Sequence, residues 1–273
     1  MTLEVHVFGI GLLGPGLPSW AQAQVLLCEP AGWHTAATVV PPPARLPATE
    51  RRRAGTLVKA SLVVADEAVA GAGAGAGAGA DQGTGVDVAT LATVFTSSTG
   101  DPLNCHLLCE ALALPQRAVS PTRFTNSVHN APAGYWHIAA ASRAPSTSLA
   151  AFDASFGAGL LEAAVQCQAT QAPVLLVACD VPYPEPLHTL RPLADVFAVA
   201  LLLAPGGGRL LTLKLDGDAA DTTCKHAGLE ALRAGIPAAR ALPLLQALAQ
   251  GTAARLVLEG APGLAMQLHL AAA

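Results

Sequence analysis

Charged residues are scarce. Only 12% of the 273 residues are Asp, Glu, Lys or Arg, against roughly a quarter in an ordinary soluble chain. Such a chain has less polar surface than a monomer of its size usually presents, and a face buried against a partner is expected. The 15 basic and 19 acidic side chains leave a net charge of −4, and Arg51-Arg52-Arg53 is the main basic cluster. That balance excludes nucleic acid and an anionic bilayer as principal partners. Long apolar runs are missing too: the longest, Val196 to Ala204, is about half of the ~20 residues a spanning helix requires, so no membrane span is expected. Six cysteines are too few for a disulfide scaffold. Cys28, Cys167 and Cys179 lie inside apolar runs, as small hydrophobes do. The opening Met1 to His6 lacks the basic and long apolar segments of a secretory leader. Reduced thiols and a cytoplasmic location are the expectation.

What the chain does have is apolar mass: 52% of its residues, which excludes disorder and provides for one large domain or two small ones. Val5–Phe8 is predicted as a first strand. Behind it Gly9-Ile-Gly11-Leu-Leu-Gly14 has the spacing of a dinucleotide-binding turn, but Pro15, Gly16 and Pro18 fall where the first turn of the following helix should be. A helix capped by Thr49 is predicted to bury Ala54, Leu57, Val58, Leu62, Ala65 and Val69. Its start at Arg51–Arg53 is read as solvated, with docking of an acidic carrier protein as the alternative. The Gly-Ala run 71–80, closed by Asp81-Gln82-Gly83, reads as an exposed loop.

Further strands are predicted at Leu91–Thr96, Leu149–Phe152, Val174–Cys179, Phe197–Leu203, Leu210–Leu215, Leu256–Glu259 and Leu264–Leu270. The third and fourth of these are apolar throughout and read as buried on both faces. Helices are predicted over Leu103–Leu112, from Asp153-Ala154-Ser155 through Gln168, and over Ala239–Ala249. The second is rich in Gly157, Ala158, Gly159, Ala163 and Ala164, whose small side chains suit a central helix. This order of elements indicates a layered α/β fold. Cys105 and Cys109 stand one turn apart beside His106, yet no second cluster offers the remaining ligands of a tetrahedral metal site.

The tract Asn126-Ser-Val-His129-Asn130-Ala-Pro-Ala-Gly134, followed by Ala144-Pro145 and Asp153-Ala154-Ser155, resembles the core of a β-ketoacyl synthase of the thiolase superfamily. Asn130, Gly134, Pro145, Ala154 and Ser155 fall on that family's positions, and Ala144 replaces its usual Gly. The opening Val5 to Gly11 is similar to the family's first strand and Gly-Ile-Gly turn. The resemblance implies a thiolase-like layered fold of αβαβα type, with a complete first half (1–205) and a reduced second half (206–273), and no cofactor. Asp153 occupies the position of the family's nucleophilic Cys. A carboxylate cannot carry the acyl thioester, and Asp153 is read instead as the cap of the helix it precedes. Ser155 lies two residues past that position with no base assigned to it. The family's two second-half histidines are missing, since only His226 and His269 follow Leu203 and neither has the expected setting. His129 and His137 read as packed, hydrogen-bonded residues.

The combination resembles the chain length factors, and most closely the short β-ketoacyl synthase-like subunits of bacterial aryl polyene pathways. It implies a catalytically inactive subunit forming a heterodimer with an active ketosynthase, with an acyl carrier protein as a further partner. The alternatives are a self-sufficient thiolase-fold acyltransferase or thioesterase, and a structural homodimer.

Overall fold

The computed structural model describes residues 2–74, 86–217, 219–260 and 264–273. Eight strands form one sheet in the order β3-β2-β4-β5-β1-β6-β8-β7. β1 (Thr2–Leu13) holds it together, pairing antiparallel with β5 (Phe197–Ala204) along His6–Leu13 and with β6 (Arg209–Asp216) along Thr2–Val7. β2 (Ala92–Thr96) runs parallel to both β3 (Ser146–Leu149) and β4 (Val174–Asp180). Every residue of β4 and β5 is buried, as expected of apolar runs covered on both faces.

Two cores explain the layering. On one face of the β2-β4-β5-β1 region, α3 (Thr56–Ala74) and α6 (Ala131–Ala140) contribute Leu57, Val64 and Trp136 against Phe95, Leu175 and Leu202. On the other, α7 (Ser155–Thr170) and α10 (Leu242–Gln250) pack Phe156, Leu160 and Leu245 against Leu176 and Leu201. The same core takes in Leu211 of β6, Leu256 of β7 (Ala254–Leu258) and Leu268 of β8 (Ala265–Leu270). α7 and α10 are thus enclosed between two parts of the sheet. Alternate residues of the last three strands, Lys214, Arg255, Gln267 and His269, are exposed, so the outer face of β6-β8-β7 is solvated. The central placement of α7 follows from its small residues. A Cβ on Gly159 would lie 2.7 Å from Thr96 Cγ2, and one on Gly157 would lie 2.7 Å from the Glu259 carbonyl oxygen.

Several sequence expectations are corrected here. Gly9 and Gly11 lie within β1 and not in a turn. A Cβ at Gly9 would stand 2.1 Å from Ala68 O, and one at Gly11 1.9 Å from Val64 O, so these glycines let the backbone of α3 cross the strand closely. The helix expected from Thr49 is two helices, α2 (Ala48–Arg53) and α3, broken where Ala54 turns extended (ψ 130°), with Pro47 at the first cap. Arg51–Arg53 accordingly form the last turn of α2, where positive charge meets the negative end of the helix dipole. Residues 71–74 of the Gly-Ala run continue α3; the rest of that run and the closing 81–83 lie outside the described residues. The strand expected at Leu149–Phe152 is already over at Leu149, where β2 also ends. Cys28 is exposed, whereas Cys167 and Cys179 are buried. Among the helices without a recognised signal are α1 (Trp20–Cys28), capped by Ser19, and α9 (Ala227–Gly235), capped by the His226 side chain. No helix among the described residues is long and apolar enough to cross a membrane.

Candidate functional site at the elbow after β3

The chain leaves β3, turns through Ala151–Ala154 and enters α7. Phe152 takes the left-handed conformation, with φ +52°, which a bulky side chain adopts only when its surroundings over-determine it. Ser155 supplies part of that constraint. Its Oγ accepts from Ala151 N at 3.0 Å and donates to Phe152 O at 2.7 Å, while its carbonyl accepts from Thr96 Oγ1 at 2.9 Å. The hydroxyl is 1% exposed as part of the residue and committed on both sides, so it pins the turn and is not presented as a nucleophile.

Asp153 does not cap α7, contrary to the sequence expectation. Ala154 occupies the cap position without a side-chain bond. The short 3-10 turn Phe152–Ala154 directs the carboxylate elsewhere, and Oδ1 accepts from Arg191 Nη2 at 2.5 Å. The same guanidinium lies 3.6 Å from the centroid of the Phe152 ring. Arg191 follows the single turn α8 (Leu187–Leu190) and had no recognised signal in the sequence.

The remaining tract supports this elbow from two sides. His129 Nε2 is 2.9 Å from Leu149 O, which agrees with a packed, hydrogen-bonded histidine. Pro145 O accepts from Thr93 N at 3.1 Å and sets the start of β3 against β2. Asn126 is buried, donating to Arg53 O at 2.8 Å and accepting from the Tyr135 hydroxyl at 3.0 Å. It thereby fastens α2 to α6. Asn130 stands at the α6 cap position, where its carbonyl accepts from Gly134 N at 3.0 Å, and its side chain makes no capping bond. Gly134 is exposed, and a Cβ there would meet nothing within 4 Å, so packing within the chain does not require glycine. The structure therefore gathers His129, Pro145, Asp153, Ala154 and Ser155 around β3 and its exit, and places Asn126, Asn130 and Gly134 on the α6 side. His137 differs from expectation, because its Nε2 is buried without a hydrogen-bond partner.

Asp180, at the end of β4, was not singled out in the sequence. It is 2% exposed. Its Oδ1 accepts from Ser98 N and Ser98 Oγ, both at 2.8 Å, and from Ser97 Oγ at 3.2 Å, and its Oδ2 accepts from Ala238 N at 2.8 Å. Burial pushes its carboxyl above the ordinary range despite these donors. The one available signal was a charge continuing a fully apolar strand, a position that demands built partners. Burial likewise pushes up the neighbouring Cys179 thiol, which is 1% exposed.

On α4 (Pro102–Ala113), Cys105 and Cys109 are exposed and His106 pairs with Glu110 at 3.2 Å. No group of three or more His, Cys, Asp or Glu residues able to hold a metal occurs among the described residues. A groove of about 730 Å³ runs between the start of α3, α4 and α5 (Pro121–Thr125), with Arg52, Arg53 and Arg123 among its lining residues. Two buried amides fix the backbone at two of these arginines, Asn126 by donating to Arg53 O and Asn104 by donating to Arg123 O, each at 2.8 Å. Of the late histidines, His226 is spent on capping α9 and His269 faces solvent.

The family described as β-ketoacyl synthase, N-terminal domain, matches residues 82–261. No curated protein matches the chain. Among solved structures, the ketosynthase (ApeO) in complex with its chain length factor (ApeC) from Xenorhabdus doucetiae aligns with a TM-score of 0.70 at 22% identity, over 98% of this chain and 99% of that one. The ishigamide ketosynthase/chain length factor aligns at 0.69 and 14% identity, over 99% of both chains. AntDE:AntF, a type II PKS acyl-carrier protein in complex with its ketosynthase, aligns at 0.73 and 12% identity, over 100% of both. At these identities the likeness is one of fold.

Proposed function

Because the chain belongs to the β-ketoacyl synthase N-terminal domain family, we propose that it is a non-catalytic, chain-length-factor-like subunit that pairs with an active ketosynthase in fatty-acid- or polyketide-type synthesis, of the aryl polyene kind. The observation that carries this reading is the elbow. A condensing enzyme needs a thiolate there, stabilised by the helix N-terminus, to take an acyl group by transthioesterification. Here the position holds Asp153, neutralised by Arg191, and the nearest hydroxyl, on Ser155, is bonded on both sides. From the second half, His226 caps α9, His269 faces solvent, and Glu259, which lines a cavity with Ala151 and Ala154 of this turn, is paired with Arg240 at 2.7 Å. The partner supplies the thiolate and the decarboxylating groups, and this chain supplies one wall of the space in which the acyl chain grows.

The meeting face lies at β3. It is the terminal strand of the sheet, and a parallel edge is normally covered. Around it stand exposed apolar side chains of a chain poor in charge, among them Val128, Ile138 and Phe152. Residues 1–205 and 206–273 are taken as a full first half and a reduced second half of one thiolase-like domain, working in the cytoplasm. The arginine-lined groove at Arg52, Arg53 and Arg123 suits the acidic surface of an acyl carrier protein. Co-expression with a cysteine-bearing ketosynthase tests the proposal. A stable one-to-one complex that makes product only when the ketosynthase cysteine is intact is expected. Separate elution of two folded proteins, or acyl transfer by this chain alone, would overturn the reading.

A further inference from the structure

Phe152 pays for its exposure twice. A left-handed φ of +52° is costly for an aromatic residue, and a glycine would satisfy the same turn without strain. The ring is then left 61% exposed, so the chain's own core gains little from it. The surroundings nevertheless enforce this arrangement. Ser155 closes the turn on both sides of Phe152, and Arg191 lies over the ring, held there by Asp153. The guanidinium thus has two partners at the elbow, the ring beneath it and the carboxylate beside it. Immediately before Arg191, Leu187 and Leu190 are exposed as well, at 44% and 83%. A strained, propped-up and exposed aromatic beside an arginine has the composition of an interface anchor, since aromatic and arginine side chains dominate binding energy where they enter a desolvated pocket.

We propose that Phe152 is the anchor that this chain inserts into an apolar pocket of its ketosynthase partner, and that Arg191 is the residue that positions it. The inference rests on the pairing proposed above. Its occupant is the same partner because Phe152 stands just beyond Leu149, the last residue of the terminal strand β3, so a protein covering that edge reaches the elbow. Asp153 has a role in this arrangement without any chemistry: it fixes the guanidinium that fixes the ring.

The test measures the dissociation constant of the purified pair, alongside the melting temperature of this chain alone. Phe152→Gly should leave that melting temperature unchanged or raised, because the turn is relaxed, while weakening the pair about 30-fold or more, the loss typical of an anchor residue. Phe152→Asn, also tolerant of the left-handed region, is expected to do the same and replaces the glycine variant should that one fold poorly. Arg191→Lys keeps a charge for Asp153 but loses the planar stack, and should weaken the pair by about 5-fold. In the Phe152→Gly background the same change should have no further effect, because a positioning residue acts only through what it positions. Full affinity in folded Phe152→Gly and Phe152→Asn proteins would overturn the anchor. A loss from Arg191→Lys that persists without the ring would overturn the positioning role. Absence of any complex with the unaltered chain would overturn the pairing itself, a result separate from both.

Discussion

His129 Nε2 and the carbonyl oxygen of Leu149 are 2.9 Å apart, so a side chain from the turn before α6 terminates β3 at the point where the chain bends into the elbow. The acceptor is a carbonyl, which requires the proton on Nε2. Replacing His129 by Ala removes that donor and should lower stability by about 1 kcal/mol. The loss is expected in urea denaturation, together with faster amide exchange at the elbow.

The ion pair of Asp153 with Arg191 is partly solvated, with 37% of the Asp153 side chain exposed, and such pairs contribute about 0–1 kcal/mol. Asp153→Asn should therefore unfold within about 1 kcal/mol of the unaltered chain, and the pair, once assembled at concentrations well above its dissociation constant, should form product at a nearly unchanged rate. Asp153→Cys should not confer condensation on this chain alone. A loss of product with Asp153→Asn as complete as that from removing the partner's cysteine would assign the carboxylate a chemical role.

Gly11 faces the backbone of α3, where an added Cβ would stand 1.9 Å from Val64 O. Backbone cannot yield as a side-chain tip can, so Gly11→Ala should cost about 3 kcal/mol or more. The same change at Gly134, where a Cβ meets nothing within 4 Å, should leave the melting temperature of the isolated chain nearly unchanged. If Gly134 lies in the partner interface, its substitution will register only in the assembled pair.

Asp180 gives a pH dependence of defined sign. Burial raises its carboxyl above the ordinary range, so the unfolded chain has the lower pKa and ionises first as pH rises. The contribution of this group is complete below the ordinary carboxylate pKa of about 4 and is lost as pH climbs through the folded value. Asp180→Asn, which cannot ionise, should flatten the stability profile over that range. Asp180→Ala leaves the Ser98 and Ala238 amides without acceptors and should cost about 3 kcal/mol or more at any pH.

Legibility in the sequence followed the range of the interactions involved. The strands Val174–Asp180 and Phe197–Ala204 were readable because two-sided burial needs an unbroken apolar run, and α7 because its small residues announce close neighbours. Family resemblance pointed to Asp153-Ala154-Ser155, a stretch that lies in the turn between β3 and α7. What it contains was not readable, because Arg191 reaches Asp153 across 38 positions and Asp180 reaches Ala238 across 58, and no local pattern encodes either meeting. Gly9 and Gly11 misled for a related reason: their spacing matched a phosphate-binding turn, while their cause is a helix that begins at Thr56. The break between α2 and α3 brings Gly55 against Asp101, where a Cβ would lie 2.5 Å from Oδ2, again a contact from elsewhere in the chain.

β1 pairs on both of its edges with strands that arrive late: Val7 with Leu203 on one side and with Arg209 on the other. Synthesis must therefore pass Arg209 before β1 can be placed between its two neighbours, and until then its amides and carbonyls are bonded to water and not to adjacent strands. Such delayed long-range pairing slows folding and exposes the chain to association. The moment at which this segment docks sets the earliest time at which a complete sheet can be offered to anything else.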